Sequence, residues 1–399
     1  MPFEHLLNAE FDLSLRPHWR WPERETARRR ITDLQWHALY LADADDSVVA
    51  PEPAPEDFVR YLERNGIDVP VITVDPGCRT DRVLAPFGWN TAAVERNRRH
   101  ERPAPHPTLE AVRRVNGRRF SAGLEADLFG GDHTLATVSG EDELHAVLEA
   151  VSDAHEELVL KAEHGNAGLG NRRLRGRERS QGDVTAVRRI LHDDLGAVLE
   201  RWRPRTLDLC STFTILPGGG IAGFRLHEIV NTADGALIGT LFQQDGAGLD
   251  RWRPALLDAA SKIARSVAQA GYTGPACTDA FVWNDAGELR LRPLVDLNAR
   301  REMSAGASAL WRRLGGEGAA YWRFYNRRKL VLPDTYDELV GALDNDAYDP
   351  SKRRGVLATA PLWLGDERRQ PTKAAVLLLG GNRDEALALD ARFRRRFEP

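Results

Sequence analysis

The stretch most suggestive of chemistry is a lysine that precedes a glycine-rich loop. Residues 158–176 read LVLKAEHGNAGLGNRRLRG, so Lys161 lies in an apolar run and three glycines follow it. Glycine lets backbone N–H groups approach an anion closely, and a lysine ammonium can follow a phosphate as a point charge. Lysine is rare in this arginine-rich chain and otherwise occurs only at Lys262, Lys329, Lys352 and Lys373. The stretch predicts a phosphate-binding loop, although an ordinary hairpin loop also fits.

The order of lysine and glycines separates this loop from two common phosphate loops. In a Walker A loop the lysine follows the last glycine, and a Rossmann fingerprint runs directly into a helix. Here Lys161 comes first, and the following residues 171–180 (NRRLRGRERS) have no apolar helical face. We therefore expect two antiparallel strands joined by a mobile lid, with Gly165, Gly168 and Gly170 supplying N–H donors to phosphates.

A second polar motif lies in VDLNARREM, residues 295–303. Alternation along a strand places Asp296, Asn298 and Arg300 on one face. Carboxylate and amide oxygens suit Mg²⁺, and a guanidinium can grip a phosphate or a carboxylate. Apolar neighbours in the motif argue against a fully exposed strand edge, so we interpret it as a metal and anion site.

Asp279 is the natural second carboxylate for that metal, because TDAFVWNDAGELRLRPLVDLNAR (278–300) is typical of a hairpin that turns at 284–287. If Trp283 pairs with Glu288, however, Asp279 faces Arg292 and lies about 13 Å along the strand from Asp296. A bulge at Pro293 could close part of that gap.

The elements that must position these residues form several α/β units. Residues 36–49, 55–67 and 69–74 predict strand, helix and strand, Asn90 is a candidate helix cap, and PAPHP (103–107) marks a boundary. Residues 200–242 predict an antiparallel meander and residues 254–271 a long amphipathic helix. The aromatic cluster AYWRFYN (320–326) has helical spacing.

Composition excludes several classes of protein. The chain has 399 residues and a net charge of −4, which gives no overall positive field for nucleic acid. No apolar run approaches the roughly 20 residues that span a bilayer, and the N-terminus does not resemble a signal peptide. Three separated cysteines form neither a metal motif nor a disulfide framework. We expect a cytoplasmic protein without nucleic-acid or membrane partners, and the sequence leaves a homodimer open.

Taken together in chain order, four segments resemble the ATP-grasp ligases of the carboxylate–amine type. They are NGRRF (116–120), LKAEHGNAGLG (160–170), LERWRPRTLDLCSTF (199–213) and GYTGPACTDAFV with RPLVDLNAR (271–282 and 292–300). The resemblance covers about residues 105–310. The family usually has lysine where Arg118 stands and glutamate where Asp296 stands.

The resemblance implies a site. ATP would meet the phosphate residues, the glycine loop and the hinge: Arg118, Lys161, Gly165, Asn166, Ala167, Gly168, Gly170, Glu200, Arg201, Trp202 and Asp208. Asp279, Asp296 and Asn298 would hold Mg²⁺, and Arg300 would act in catalysis. Arg225, in GFRLHEI, is either a second catalytic guanidinium or an outward-facing residue, and alternation places His227 on its face and Glu228 on the other.

The implied reaction joins a carboxylate to an amine through an acyl phosphate, with ATP and Mg²⁺ as cofactors and an amino acid or small peptide as the default substrate. Two alternatives stay open at this stage: a phosphoryl transferase that stops at a phosphorylated product, and a non-catalytic nucleotide-binding protein.

The implied fold is α/β (α+β), with four parts. We expect an N-terminal Rossmann-like α/β domain over 1–105, an ATP-grasp N-subdomain with the lid over 106–190, a C-subdomain with the metal site over 191–310, and a C-terminal α/β extension over 311–399.

Overall fold

The computed structural model describes residues 1–74, 80–151, 156–166, 169–175, 180–193, 196–232, 235–244 and 248–399. Three sheets organise these residues. In the part of the chain so described, no helix is long and apolar enough to cross a membrane.

The first sheet is parallel and belongs to the N-terminal residues. Its four strands lie in the order β3-β2-β1-β4: β1 (Phe3–Leu6), β2 (Ser47–Val49), β3 (Val71–Thr73) and β4 (Val83–Pro86). The helices around it are α1 (Phe11–Ser14), α2 (Glu25–Thr32), α3 (Glu56–Arg64) and α4 (Thr91–Asn97), with a 3₁₀ segment at Asp33–Leu41. Asn90 caps α4 by accepting the N–H of Ala93 at 2.9 Å, which confirms the predicted cap.

The second sheet carries the lysine strand. It is antiparallel, in the order β5-β8-β6-β7. Its elements are α5 (Leu109–Val115), α6 (Arg118–Phe129), β5 (Thr134–Val138), α7 (Glu141–Ala150), β6 (Glu157–Asn166), β7 (Leu169–Arg175), α8 (Gln181–Asp193) and β8 (Ala197–Arg201). Strands β6 and β7 form the predicted antiparallel pair around the glycine loop. Apolar residues of α7 and α8, such as Leu144, Leu148 and Val187, form a separate core beneath this sheet.

The third sheet has eight antiparallel strands in the order β13-β12-β9-β10-β11-β14-β16-β15. Its first five strands are β9 (Arg205–Ile215), β10 (Ile221–Asn231), β11 (Leu237–Gln243), β12 (Gly274–Asp285) and β13 (Glu288–Asn298). The last three are β14 (Ala319–Asn326), β15 (Gly355–Ala358) and β16 (Lys373–Gly380). The accompanying helices are α9 (Arg253–Gln269), α10 (Ala305–Arg313), α11 (Tyr336–Leu343) and α12 (Arg383–Phe397), with 3₁₀ turns at Arg327–Lys329 and Asp344–Asp346.

The aromatic cluster AYWRFYN lies in strand β14, so the helical interpretation of residues 320–326 is wrong. Strand β14 is paired on both sides, by β11 and β16. Tyr321 and Trp322, which point to opposite faces, are both nearly fully buried. A strand buried on both faces loses the apolar–polar alternation that identifies strands, and its apolar run then imitates a helix.

The β12–β13 hairpin brings Asp279 directly opposite Asp296, which corrects the predicted offset. The turn is the two-residue pair Ala286–Gly287, both with positive φ, and it pairs Asp285 with Glu288. The register then changes again, because Phe281 faces Arg292 but Asp279 faces Asp296. Relative to the predicted pairing, the turn and this second change each shift β13 by two residues. The second change lies at Pro293, which has no N–H to donate to the neighbouring strand.

Candidate active site

A cavity of about 210 Å³ opens between the second and third sheets. Its lining includes residues from all four segments singled out in the sequence: Arg118, Lys161, Gly165, Trp202, Asp208, Asp279, Asp296, Asn298 and Arg300. Residues separated by well over a hundred positions along the chain therefore meet in one place, as predicted.

Two carboxylates and an amide form the acidic side of the cavity. Asp279 and Asp296 are cross-strand partners, and the Asn298 Nδ2 donates to Asp279 Oδ2 at 3.4 Å. Burial, followed by the neighbouring charge of Asp296, raises the pKa of Asp279 to about 7. Two adjacent carboxylates with an amide oxygen are the ligands that Mg²⁺ prefers, and a bound cation would remove the repulsion between them. The donor set therefore fits a magnesium ion.

Two cations face these carboxylates. The Lys161 Nζ lies 2.9 Å from Glu200 Oε2 and 3.6 Å from Asp296 Oδ1, and the lysine is nearly fully buried. Arg118, the first residue of α6, forms an ion pair with Asp296. In this structure Asp296 is thus neutralised by the two cations that are predicted to contact phosphates.

Glu200 does not reach the cavity, contrary to the expectation that it meets the adenine or ribose. Its side chain is buried, where it accepts from Arg292 Nη1 at 2.7 Å and pairs with Lys161. Burial acts to raise the pKa of Glu200, but Lys161 and Arg292 outweigh it and leave the pKa well below its ordinary value. Glu200 therefore holds the Lys161 ammonium in place from the protein interior.

Arg292 and Glu125 complete this buried network, and sequence reasoning missed both. The Arg292 Nε and Nη2 donate to the two oxygens of Glu125 at 2.7 and 2.5 Å. Arg292 is only 2% exposed, so its charge must be compensated inside the protein. An arginine beside apolar residues in a predicted strand is the one signal that could have identified it.

The hinge residues separate into two groups. Trp202 and Asp208 line the cavity, and Asp208 accepts from Arg205 Nη1 at 2.8 Å. The guanidiniums of Arg173 and Arg205 lie 4.6 and 5.3 Å from the Trp202 ring centre, which fixes the indole. The cavity at this end is lined with apolar residues as well as the indole, which suits a flat purine.

The side chain of Arg201 faces away from the cavity, so the nucleotide contact that the resemblance implies there would be made by its backbone. Its Nε donates to Glu156 Oε1 and its Nη1 to the carbonyl of Asp132, both at 2.7 Å. Side chains alternate along β8 and on to Trp202, so those of Glu200, Arg201 and Trp202 cannot all face the same ligand.

The glycine loop is described in part. Gly165 lines the cavity, whereas Gly170 has a φ of +93° and lies where a Cβ would be 3.0 Å from Ala162. The backbone conformation and the close packing at position 170 thus require a glycine there. The predicted loop residues that lie outside the described residues are Ala167 and Gly168, together with the side chain of Asn166.

Arg300 lies at the opposite end of the cavity and is held by the N-terminal part of the chain. Its Nε and Nη2 donate to the two oxygens of Asp12 in α1, at 2.8 and 3.0 Å, and Nη2 also donates to Asn298 Oδ1 at 3.2 Å. Burial acts to lower the pKa of Arg300, but Asp12 outweighs it and the pKa is raised. No motif marks Asp12 in the sequence, so its place beside Arg300 was not predicted.

Arg225 does not join this site; it lies in a neighbouring groove. It shares a face of β10 with His227, as predicted, while Glu228 pairs with Arg383 on the other face. His227 Nε2 lies 2.9 Å from Glu302 Oε1, and Glu302 lines the first cavity. The pair of His227 and Glu302 therefore lies between the groove and the cavity. Of the two interpretations of Arg225, the outward-facing residue agrees with the structure, since its side chain is exposed.

No protein-family model matches the sequence, and no curated protein matches it either. Solved structures do resemble the fold. N5-carboxyaminoimidazole synthetase from Staphylococcus aureus, complexed with ADP, has a TM-score of 0.53 and 12% identity over 98% of each chain. N5-carboxyaminoimidazole ribonucleotide synthetase from Thermus thermophilus has a TM-score of 0.52 and 16% identity over 98% of each chain. Biotin carboxylase from Campylobacter jejuni, in a complex described as β,γ-ATP, has a TM-score of 0.55 and 11% identity over 99% of this chain and 91% of the other.

Proposed function

We propose that this chain, which has the ATP-grasp fold, is an ATP-dependent ligase that joins a carboxylate to an amine. The observation that carries the proposal is the single cavity in which Lys161, Arg118 and Arg300 face the paired carboxylates Asp279 and Asp296. Such a cavity offers cations to the phosphates of a nucleoside triphosphate and carboxylates to its metal ion. The complexes of similarly folded proteins with ADP or ATP support the nucleotide assignment.

The proposed reaction has two steps. The substrate carboxylate attacks the γ-phosphorus of ATP, the bond to the bridging oxygen breaks, and ADP leaves. An amine nitrogen then attacks the carbonyl carbon of the acyl phosphate, the C–O bond to phosphate breaks, and an amide, phosphate and a proton are released. Both steps depend mainly on positioning and on neutralisation of charge.

The residues of the cavity supply that positioning and neutralisation. Lys161 and Arg118 offset phosphate charge at one end, and Arg300 stabilises the transferring group or the tetrahedral oxyanion at the other. Asp279, Asp296 and Asn298 would hold Mg²⁺, which when bound neutralises phosphate oxygens. Since Arg118 and Lys161 pair with Asp296 in this structure, binding of the nucleotide with its cation would exchange those ion pairs for contacts with phosphate.

We propose the substrates by their chemical class. An amino acid or a small peptide is the default carboxylate, and the amine is a second small molecule. The glycine loop would close over the phosphates, because an acyl phosphate must be protected from water.

A coupled assay of ADP release tests the proposal, with ATP, Mg²⁺ and a panel of amino acids and short peptides as paired acids and amines. We expect ADP release to require both an acid and an amine, with an amide identified by mass spectrometry. Release with an acid alone, together with a phosphorylated product, would assign the chain to the phosphoryl transferases. Nucleotide binding without turnover for any pair would favour a non-catalytic nucleotide-binding protein.

A further inference from the structure

The groove that contains Arg225 adjoins the proposed nucleotide cavity on the same face of the third sheet. Along β10, Ile229 and Asn231 line the cavity, whereas Arg225 and His227 line the groove. These four positions alternate along one strand, so their side chains share one face. The groove has a volume of about 300 Å³ and is bordered on its other side by α10.

Strand register fixes how far the groove is from the proposed metal site. Asn298 pairs with Cys277, Cys277 with Thr212, and Thr212 with Arg225, which makes one row across four neighbouring strands. Three strand spacings separate the backbones of Asn298 and Arg225 by about 14 Å. An extended ligand about the length of a tri- or tetrapeptide could therefore touch Arg225 at one end and the reacting phosphate at the other.

The groove presents positive charge from two arginines, Arg225 and Arg312. Among the residues that the structure describes, neither Arg225 nor Arg312 forms an ion pair, whereas Arg383 on the opposite face of β10 pairs with Glu228. The Arg312 Nε donates only to the Ser308 carbonyl, at 3.2 Å. Arg225 and Arg312 both line the groove, and partial burial, followed by repulsion from Arg225, lowers the pKa of Arg312.

The floor of the groove is aromatic. Phe242 and Trp311 stack with ring centres 5.9 Å apart and an interplanar angle of 17°. Both line the groove, and Trp311 keeps a small exposed area. An apolar linker can pack on such a surface while its charged end meets the arginines.

We propose that this groove binds the anionic end of the amine substrate through Arg225 and Arg312, with the apolar part of that substrate on Trp311 and Phe242. The amine then points past His227 and Glu302 toward Arg300. The anion is a carboxylate or a phosphate, and it lies several bonds from the amine, since the sites are about 14 Å apart. The inference rests on the proposed ligase function.

The test is calorimetric titration of the protein, saturated with ADP and Mg²⁺, with four compounds. The anionic ones are 6-aminohexanoate, triglycine and 5-aminopentyl phosphate, and the neutral match is 6-aminohexanamide. We expect at least one anionic compound to bind about tenfold or more tightly than the amide, since a hydrogen bond to a charged group is stronger than one between neutral groups. Comparison of the affinities of the two carboxylates with that of the phosphate identifies which anion the groove selects.

Arg225→Gln and Arg312→Gln should each weaken that binding about tenfold and leave ADP affinity unchanged. Arg265→Gln, on the exposed side of α9, is the matched control and should change neither affinity. The inference is overturned if no anionic compound binds better than the amide, or if both groove variants bind it like the wild type. Failure of the wild type to bind ADP would instead overturn the proposed function, so the two failures are distinguishable.

Discussion

At the scale of single residues, the site is a set of charges that compensate one another in the structure. Lys161 lies between Glu200 and Asp296, and Arg118 pairs with Asp296 as well. The sequence predicts the cations and the paired carboxylates of the cavity from their residue types and spacing. It assigned Glu200 to the nucleotide, although that residue supports Lys161 from within the protein.

Lys161→Ala should reduce ATP-dependent turnover about 10²- to 10³-fold, the loss typical when one stabilising donor is removed from a phosphate or oxyanion site. The fold should remain, because Glu200 keeps its ion pair with Arg292. Steady-state kinetics of ADP release measure the effect. Lys262→Ala is the control, since Lys262 is a partly exposed lysine that pairs with Asp258 within α9. Equal rates for the wild type and Lys161→Ala would show that the glycine loop has no role in phosphate binding.

At the scale of elements, the β12–β13 hairpin decides whether Asp279 and Asp296 meet. The sequence predicts both strands and the position of the turn. It does not predict the pairing, because a two-residue turn and a four-residue loop differ by a shift of two residues, and the irregularity at Pro293 adds two more. Ala286 has a φ of +52°, a conformation that residues other than glycine and asparagine adopt at a cost.

Ala286→Asn should therefore stabilise the protein by about 0.5–1 kcal/mol, since Asn-Gly is the preferred sequence for a two-residue hairpin turn with both φ values positive. Ala286→Val should destabilise it, because a β-branched residue fits this conformation poorly. Urea denaturation of the three proteins measures the order. An unchanged or reduced stability in the asparagine variant would contradict the turn described above.

At the scale of the whole molecule, contacts between distant parts of the chain complete the site. Asp12 lies in the N-terminal part and holds Arg300, which follows the last strand of the hairpin. Strands β14 to β16 extend the same sheet that carries Asp279 and Asp296. We propose that boundaries near residues 105, 190 and 310 separate four units that unfold locally before the rest of the chain. Limited proteolysis with mass mapping of the cut sites would test this division.

Asp12→Asn should lower the free energy of unfolding by about 3 kcal/mol, because it leaves the buried Arg300 guanidinium without its carboxylate. Asp337→Asn is the matched control. Asp337 also joins distant parts of the chain through Arg64, but that pair is largely exposed, so the loss should stay below about 1 kcal/mol. Chemical denaturation measures both values. Similar losses in the two variants would mean that Asp12 does not neutralise a buried charge.

The sequence alone determined which residue types meet in the cavity, the antiparallel strands around the glycine loop and the class of fold. These depend on local signals: a lysine before its glycines, alternating polar residues in a strand, and turn residues between apolar runs. Only the tertiary structure decided the pairing of Asp279 with Asp296, the buried network around Glu200, the place of Arg225 in a separate groove and the contact of Asp12 with Arg300. The reason is that strand register and contacts between distant segments depend on how whole surfaces pack, and no short stretch of sequence carries that information.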